Sequence, residues 1–195
     1  IGNIINSQEL DGFNKLHTLS RYLRAHSYML GHKNQEIKDF FKGIKQKKSI
    51  EQKPLIESID SYIIENEIHE IKKTDKLFSF KNFDVYCSAA VKIPSIMKEI
   101  GRLRELTFRA VGEGTNNETD IDEYDLYYEH LFIWDNTAKK IVGAYRIGKG
   151  RDILMQYGKK GFYIHSLFKI QDSVIPTLNQ SLELGRSFIV PEYQK

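Results

Sequence analysis

Glu183 and Arg186 place a carboxylate and a guanidinium in a stretch, LELGRSFIVPEY from Leu182 to Tyr193, whose other members read as core. Leu182, Leu184, Phe188 and Val190 are residues that a central strand buries, so charge among them needs a purpose. A partly buried carboxylate can accept a proton near neutrality, and the planar fork of an arginine suits a carboxylate or a phosphate. Glu183 is thus the candidate base and Arg186 the candidate anion holder. An ion pair between the two, or a strand edge facing water, is the competing structural reading.

Other residues invite the same weighing. Asp120, Asp122, Glu123 and Asp125 crowd together in DIDEYDLYYEH. A calcium loop would need a glycine and a terminal glutamate at spacings that are absent, so no metal is expected; a surface loop pairing with nearby lysines is the plain alternative. His130 and His165 fall in expected strands, where a histidine serves as an acid or as a satisfied structural residue. The single cysteine, Cys87, has no partner for a disulfide and no His or Asp visibly arranged to activate it, so it reads as a packed strand residue. Tyr124, Tyr127 and Tyr128 are taken as core, and Trp134 as hairpin packing.

These side chains need elements to hold them. Leu16, Leu19, Tyr22, Leu23 and Met29 recur at helical spacing after Ser7, and a Lys-rich linker follows from His32 to Pro54. Leu55, Ile56, Ile59, Ile63 and Ile64 predict an amphipathic helix from Leu55 to Ile71. Phe80 to Val91 reads as a strand, followed by a helix after Pro94 and Ser95. Ile96, Ile100, Leu103 and Leu106 form its apolar stripe; Arg102, Arg104 and Glu105 fall away from it, and Gly112 and Gly114 break it. Tyr127 to Trp134 and Ile141 to Ile147 predict an antiparallel hairpin, Gly161 to Phe168 a short strand, Val174 to Ser181 a brief helix, and Leu182 to Val190 the last strand. The sum is an α/β, or α+β layered, domain with a mixed, mainly antiparallel sheet flanked by helices.

Composition sets mild bounds. With 195 residues, 41% hydrophobic and 28% charged, the chain has an ordinary globular balance, which excludes disordered and collagen-like classes. A formal net charge of +3 permits an acidic partner without requiring one, and no recognition pattern for nucleic acid accompanies the lysines. The lone cysteine suits a reducing, cytoplasmic setting. No apolar run approaches the ~18 residues of a membrane span, so any membrane contact is expected to be peripheral, at the inner membrane.

In order along the chain, TFRAVGEGT (Thr107 to Thr115), the acidic run, HLFIWDNTAKKIVGAYRIG (His130 to Gly148) and LELGR resemble the acyl-carrier-protein-dependent N-acyltransferases of the GNAT superfamily. The likeness is to bacterial ornithine-lipid and glycine-lipid synthases, whose relatives are often labelled hemolysins, and it covers Leu77 to Lys195. It implies transfer of a long acyl or 3-hydroxyacyl chain from acyl carrier protein, or CoA, to the amine of an amino acid. Glu183 would be the base; Phe188, Ile189 and Val190 would line the channel for the acyl-phosphopantetheine co-substrate, with no permanently bound cofactor. Asp122 and Asp125 would serve the acceptor's ammonium. Arg104, Arg146, Arg186 and His130 would complete the acceptor site. The opening IGxxI and the helix ending YLRAHSYMLG resemble the tail of a glycerolipid acyltransferase domain, without its His-x-x-x-x-Asp motif. The implied division is 1–31 for that tail or a helical extension, 32–54 for the linker, and 55–195 for the N-terminal part of the acyltransferase domain. The family's phosphate-cradling turn lies past the last strand and is not among these residues, so the expectation is a fragment with little or no activity by itself. Two other readings stay open: an acyl-homoserine-lactone-synthase-like enzyme, and a non-catalytic, membrane-associated hemolysin-type module.

Overall fold

Asp60 starts the first helix: its side chain accepts the Tyr62 N–H at 2.8 Å, and α1 (Ser61–Ile71) runs from there with Ile64, Ile68 and Ile71 buried along one stripe. This computed structural model describes residues 52–194. The expected terminal helix after Ser7 and most of the Lys-rich linker lie outside them. The helix predicted from Leu55 begins six residues later. The segment before Asp60 is instead held from outside, by Lys53 N–H to Asn116 O, Ile56 N–H to Glu118 O and Ile59 N–H to the Glu99 carboxylate. The apolar stripe of α1 packs into the core, while Tyr62 and Ile63 remain exposed.

The sheet has five strands in the order β1-β2-β3-β4-β5, every neighbouring pair antiparallel: β1 (Lys76–Phe80), β2 (Phe83–Ala89), β3 (Glu129–Asp135), β4 (Lys140–Lys149) and β5 (Leu182–Ile189). The layered α/β expectation holds, though no parallel pair occurs among the described strands. β1 is a strand the sequence reading missed. Its KLFSF is almost wholly exposed, so it shows no in-out alternation.

Between β2 and β3 lies α2 (Pro94–Ala110), with Pro94 in its first turn. No local side chain caps it; Glu67 of α1 does so from across the interface, accepting Ser95 N–H at 2.8 Å and Ile96 N–H at 2.9 Å. Ile96, Ile100 and Leu103 are buried as the stripe predicts, while Leu106 is exposed. Arg104 and Glu105, expected to fall away, are among the most buried side chains in the molecule. They face the loop that wraps back over α2, not the sheet. Glu105 accepts from Thr115 N–H, Asn116 N–H and Arg109.

After β4 come α3 (Gly150–Tyr157), α4 (Tyr163–Leu167) and α5 (Ile175–Asn179). The strand predicted from Gly161 to Phe168 is thus a short helix. Phe162 anchors it in a small apolar cluster with Tyr128 and Ile153. Pro176 sits in the first turn of α5 as predicted.

The main core lies between α1, α2 and one face of the sheet: Tyr86 stacks on Phe132 with ring centroids 5.3 Å apart, and Trp134, Ala144, Phe188 and Val190 close around them. Leu182 and Leu184 correct the expectation of a buried central strand. They are 60% and 59% exposed, because β5 is an edge among the described strands and these two residues project from the face opposite α2. Among the described residues no helix is long and apolar enough to cross a membrane.

Candidate active site

Three arginines from three elements converge on three aspartates of one loop. Arg104 of α2 bonds Asp125 through Nη1 at 2.8 Å and Nη2 at 2.9 Å, and also reaches the Asp120 carbonyl. Arg146 of β4 bonds Asp122 and lies 3.4 Å from Asp125. Arg186 of β5 approaches Asp122 at 3.4 Å and Asp120 at 3.5 Å. Asp120 Oδ2 sits between the Nε atoms of Arg104 and Arg186 without hydrogen-bond geometry to either, a charge-balanced contact only. The formal charges of the six groups cancel, which lets the cluster be buried.

Local chemistry shapes the loop before the arginines arrive. Asp122 and Asp125 form a reciprocal capping box: the Asp122 side chain accepts Tyr124 N–H, and Asp125 accepts Asp122 N–H. Burial alone would raise the Asp125 carboxyl, but the Arg104 guanidinium bonded to it, with the Asp122 amide and Arg146, holds it below the ordinary carboxylate range. Asp125 is enclosed and fully engaged, whereas Asp122 keeps 26% of its side chain exposed and Arg186 keeps 24%. Of the acidic residues singled out for an acceptor, Asp122 alone pairs an open side with a fixed position. The rings of Tyr124, Tyr128 and Tyr163 surround the Arg146 guanidinium, with centroids 5.2–5.3 Å away.

Glu183 and Arg186 do not pair with each other. The Glu183 carboxylate accepts Tyr163 N–H at 3.0 Å and the Tyr128 hydroxyl on Oε2, and Ile164 N–H at 2.7 Å on Oε1. The first turn of α4 therefore grips this side chain. Arg186 is separated from it by a β-bulge: Ala144 faces Phe188 and Arg146 faces Gly185, so two residues of β5 oppose Tyr145 alone. Within the bulge Arg186 has φ 51°, the left-handed region, which turns its side chain toward the aspartates.

The edge of β5 offers backbone groups. Val190 N–H donates to Val142 O at 2.9 Å, so alternation along an antiparallel ladder turns the Ile189 amide to the other edge. The Phe188 and Val190 side chains pack in the core, and only Ile189 of the three expected channel residues is open to solvent.

His130 lies within the cluster, its Nε2 3.1 Å from Asp125 O; burial, then the nearby arginines against the pull of Asp125, lower its pKa and keep it neutral at pH 7. His165, expected in a strand, is on α4. Cys87 is away from the cluster; burial, and then the adjacent Glu129, push its thiol up to about 11, which leaves no thiolate for nucleophilic work. Among the described residues no group of three His, Cys, Asp or Glu side chains is placed to hold a metal. Sequence reasoning treated Tyr128 as core and did not weigh Tyr163 at all, yet both touch Glu183 and Arg146. The run of tyrosines beside the acidic loop was the only available signal.

Residues 103–195 match the model of a family described as acetyltransferase (GNAT) domain. The chain is 35% identical over 145 residues to glycine N(alpha)-acyltransferase of Bacteroides thetaiotaomicron, covering 72% of the chain and 43% of that protein. It is 36% identical over 148 residues to glycine N(alpha)-acyltransferase of Phocaeicola vulgatus, covering 72% and 44%. To L-ornithine N(alpha)-acyltransferase of Rhizobium meliloti it is 31% identical over 98 residues, covering 47% and 32%. The chain thus spans less than half the length of these curated relatives. No solved structure matches it. With an antiparallel sheet flanked by helices and this match over residues 103–195, the chain has a GNAT-like α/β fold.

Proposed function

We propose that the protein is part of an N-acyltransferase that moves a long acyl or 3-hydroxyacyl chain from an acyl carrier protein, or CoA, to the amine of an amino acid in bacterial aminolipid synthesis. The observation that carries this reading is the adjacency of Asp122 and Arg186. They are two partly open groups of opposite charge, each also paired with a buried partner, and Arg186 shares β5 with Glu183. An α-amino acid presents an ammonium and a carboxylate at matching separation, and glycine and ornithine, named in the relatives, share that head.

In this reading Asp122 takes the acceptor's ammonium and Arg186 its carboxylate. Asp125, Arg104, Arg146 and His130 hold them in place. Glu183, directly or through a water, accepts the proton that the amine must lose; among the described residues its Oε1 takes one hydrogen bond, which leaves room for that role. The amine nitrogen bonds the thioester carbonyl carbon, the developing oxyanion rests on backbone donors near Ile189, and the C–S bond breaks as the thiol takes up a proton. Phe188 and Val190 would shape the donor channel from within the core. The same proposal includes the 1–31, 32–54 and 55–195 division, acyl carrier protein as partner, and a cytoplasmic enzyme with peripheral contact at the inner membrane.

The test uses the full-length protein with an acyl-carrier-protein or acyl-CoA thioester and glycine or ornithine, the product read by mass spectrometry. Acylated amino acid is expected, with Glu183→Gln slower by about 10²- to 10⁴-fold. Full activity in that variant would remove Glu183 from the base role, and no acylation of either amino acid would remove the acceptor reading.

A further inference from the structure

Tyr128 joins the two halves of the site. It is 2% exposed; its hydroxyl donates to Glu183 Oε2 and accepts Tyr163 N–H at 3.1 Å, and its ring lies 5.3 Å from the Arg146 guanidinium. Directly across the ladder from Glu183 stands Gly148. A Cβ there would meet Tyr128 Cε1 at 2.4 Å and Cζ at 2.7 Å, so the missing side chain is the space the ring occupies.

We propose that Tyr128, seated in the gap left by Gly148, is a positioning residue that fixes the Glu183 carboxylate for proton transfer. The proposal rests on the reading of Glu183 as the base. Tyr128 is enclosed and does not reach a substrate, so it acts through Glu183. Burial, and then the bond to Glu183, raise the phenol well above its ordinary range, so the group remains an O–H donor throughout the working range. A carboxylate on an exposed edge strand has rotamers to lose; the Tyr128 hydroxyl and Tyr163 amide on Oε2 and the Ile164 amide on Oε1 select one of them.

Tyr127 supplies the internal control. Its hydroxyl donates to Gly161 O at 2.8 Å, tying the same loop without touching Glu183. In the full-length protein, Tyr128→Phe should lower kcat about tenfold while KM for donor and acceptor stays within about twofold, and Tyr127→Phe should leave the rate unchanged. The deciding measurement is the double variant. If Tyr128 works through Glu183, Tyr128→Phe costs nothing further in the Glu183→Gln background. An equal loss in both backgrounds, or no loss in the single variant, overturns the proposal while leaving the base reading intact. A fully active Glu183→Gln overturns both. Should Tyr128→Phe fold poorly, Gly148→Ala displaces the ring and keeps the hydroxyl; a fully active, folded Gly148→Ala also overturns the proposal.

Discussion

Removing the Arg104 guanidinium would leave the Asp125 and Asp120 carboxylates enclosed with their main counter-charge gone. Breaking one side of a buried pair costs about 3–5 kcal/mol, far more than the intact pair contributes, so Arg104→Ala should lose about that much in urea unfolding of the isolated chain. The same pair sets a pH dependence. The Asp125 carboxyl is held below its unfolded value, so its stabilising contribution is complete above the ordinary carboxylate range, near pH ~4, and is lost as pH falls through the lowered folded value. Arg104→Ala should therefore also flatten the acid side of the stability profile. The charged residues were legible in the sequence; their pairing was not. Arg104 lies off the apolar stripe of α2, and only a loop folded back over the helix turns that polar side into an interior.

Two contacts between elements decide where the site sits. Glu67 of α1 caps α2 from outside, which sets the helix that delivers Arg104. Gly150, at the junction of β4 and α3, lets α5 approach so closely that an added Cβ would lie 1.8 Å from Leu178 O. Gly150→Ala must push α5 away, so a loss of about 1–3 kcal/mol, or more if the start of β5 shifts as well, is expected in thermal or urea unfolding. Of these elements, α2, the hairpin β3–β4, α5 and β5 were readable from periodicity and turn residues. Three were not: β1 is too exposed to show alternation, α3 is only eight residues long and opens on a glycine, and α4 is too short for a helical period, its β-branched and aromatic residues imitating a strand.

At the scale of the whole molecule, among the described residues one sheet face is packed and the other carries exposed apolar side chains. Phe132 is fully buried under α2, whereas Leu184 stands in water on the opposite face. Phe132→Ala should cost about 3–5 kcal/mol in the isolated chain, and Leu184→Ser should stay within about 0.5 kcal/mol, a contrast that urea midpoints would resolve. Leucine at 182 and 184 reads as core in a linear string because hydrophobicity shows that a side chain can be buried, not whether a neighbour arrives to bury it.

The sequence by itself determined the layered α/β class, the helix after Pro94, the hairpin, the last strand, and the set of charged residues from which a site could be built. All of these rest on local periodicity, turn chemistry and residue type, which act over a few positions. The tertiary structure alone decided that Glu183 turns to Tyr128 and α4 and not to Arg186, that Asp125 is sealed while Asp122 stays open, and that Tyr128 and Gly148 meet beside the carboxylate. Those outcomes depend on a bulge that re-aims one strand and on a loop that closes over a helix. Both bring together residues that are distant along the chain, and no local pattern encodes that distance.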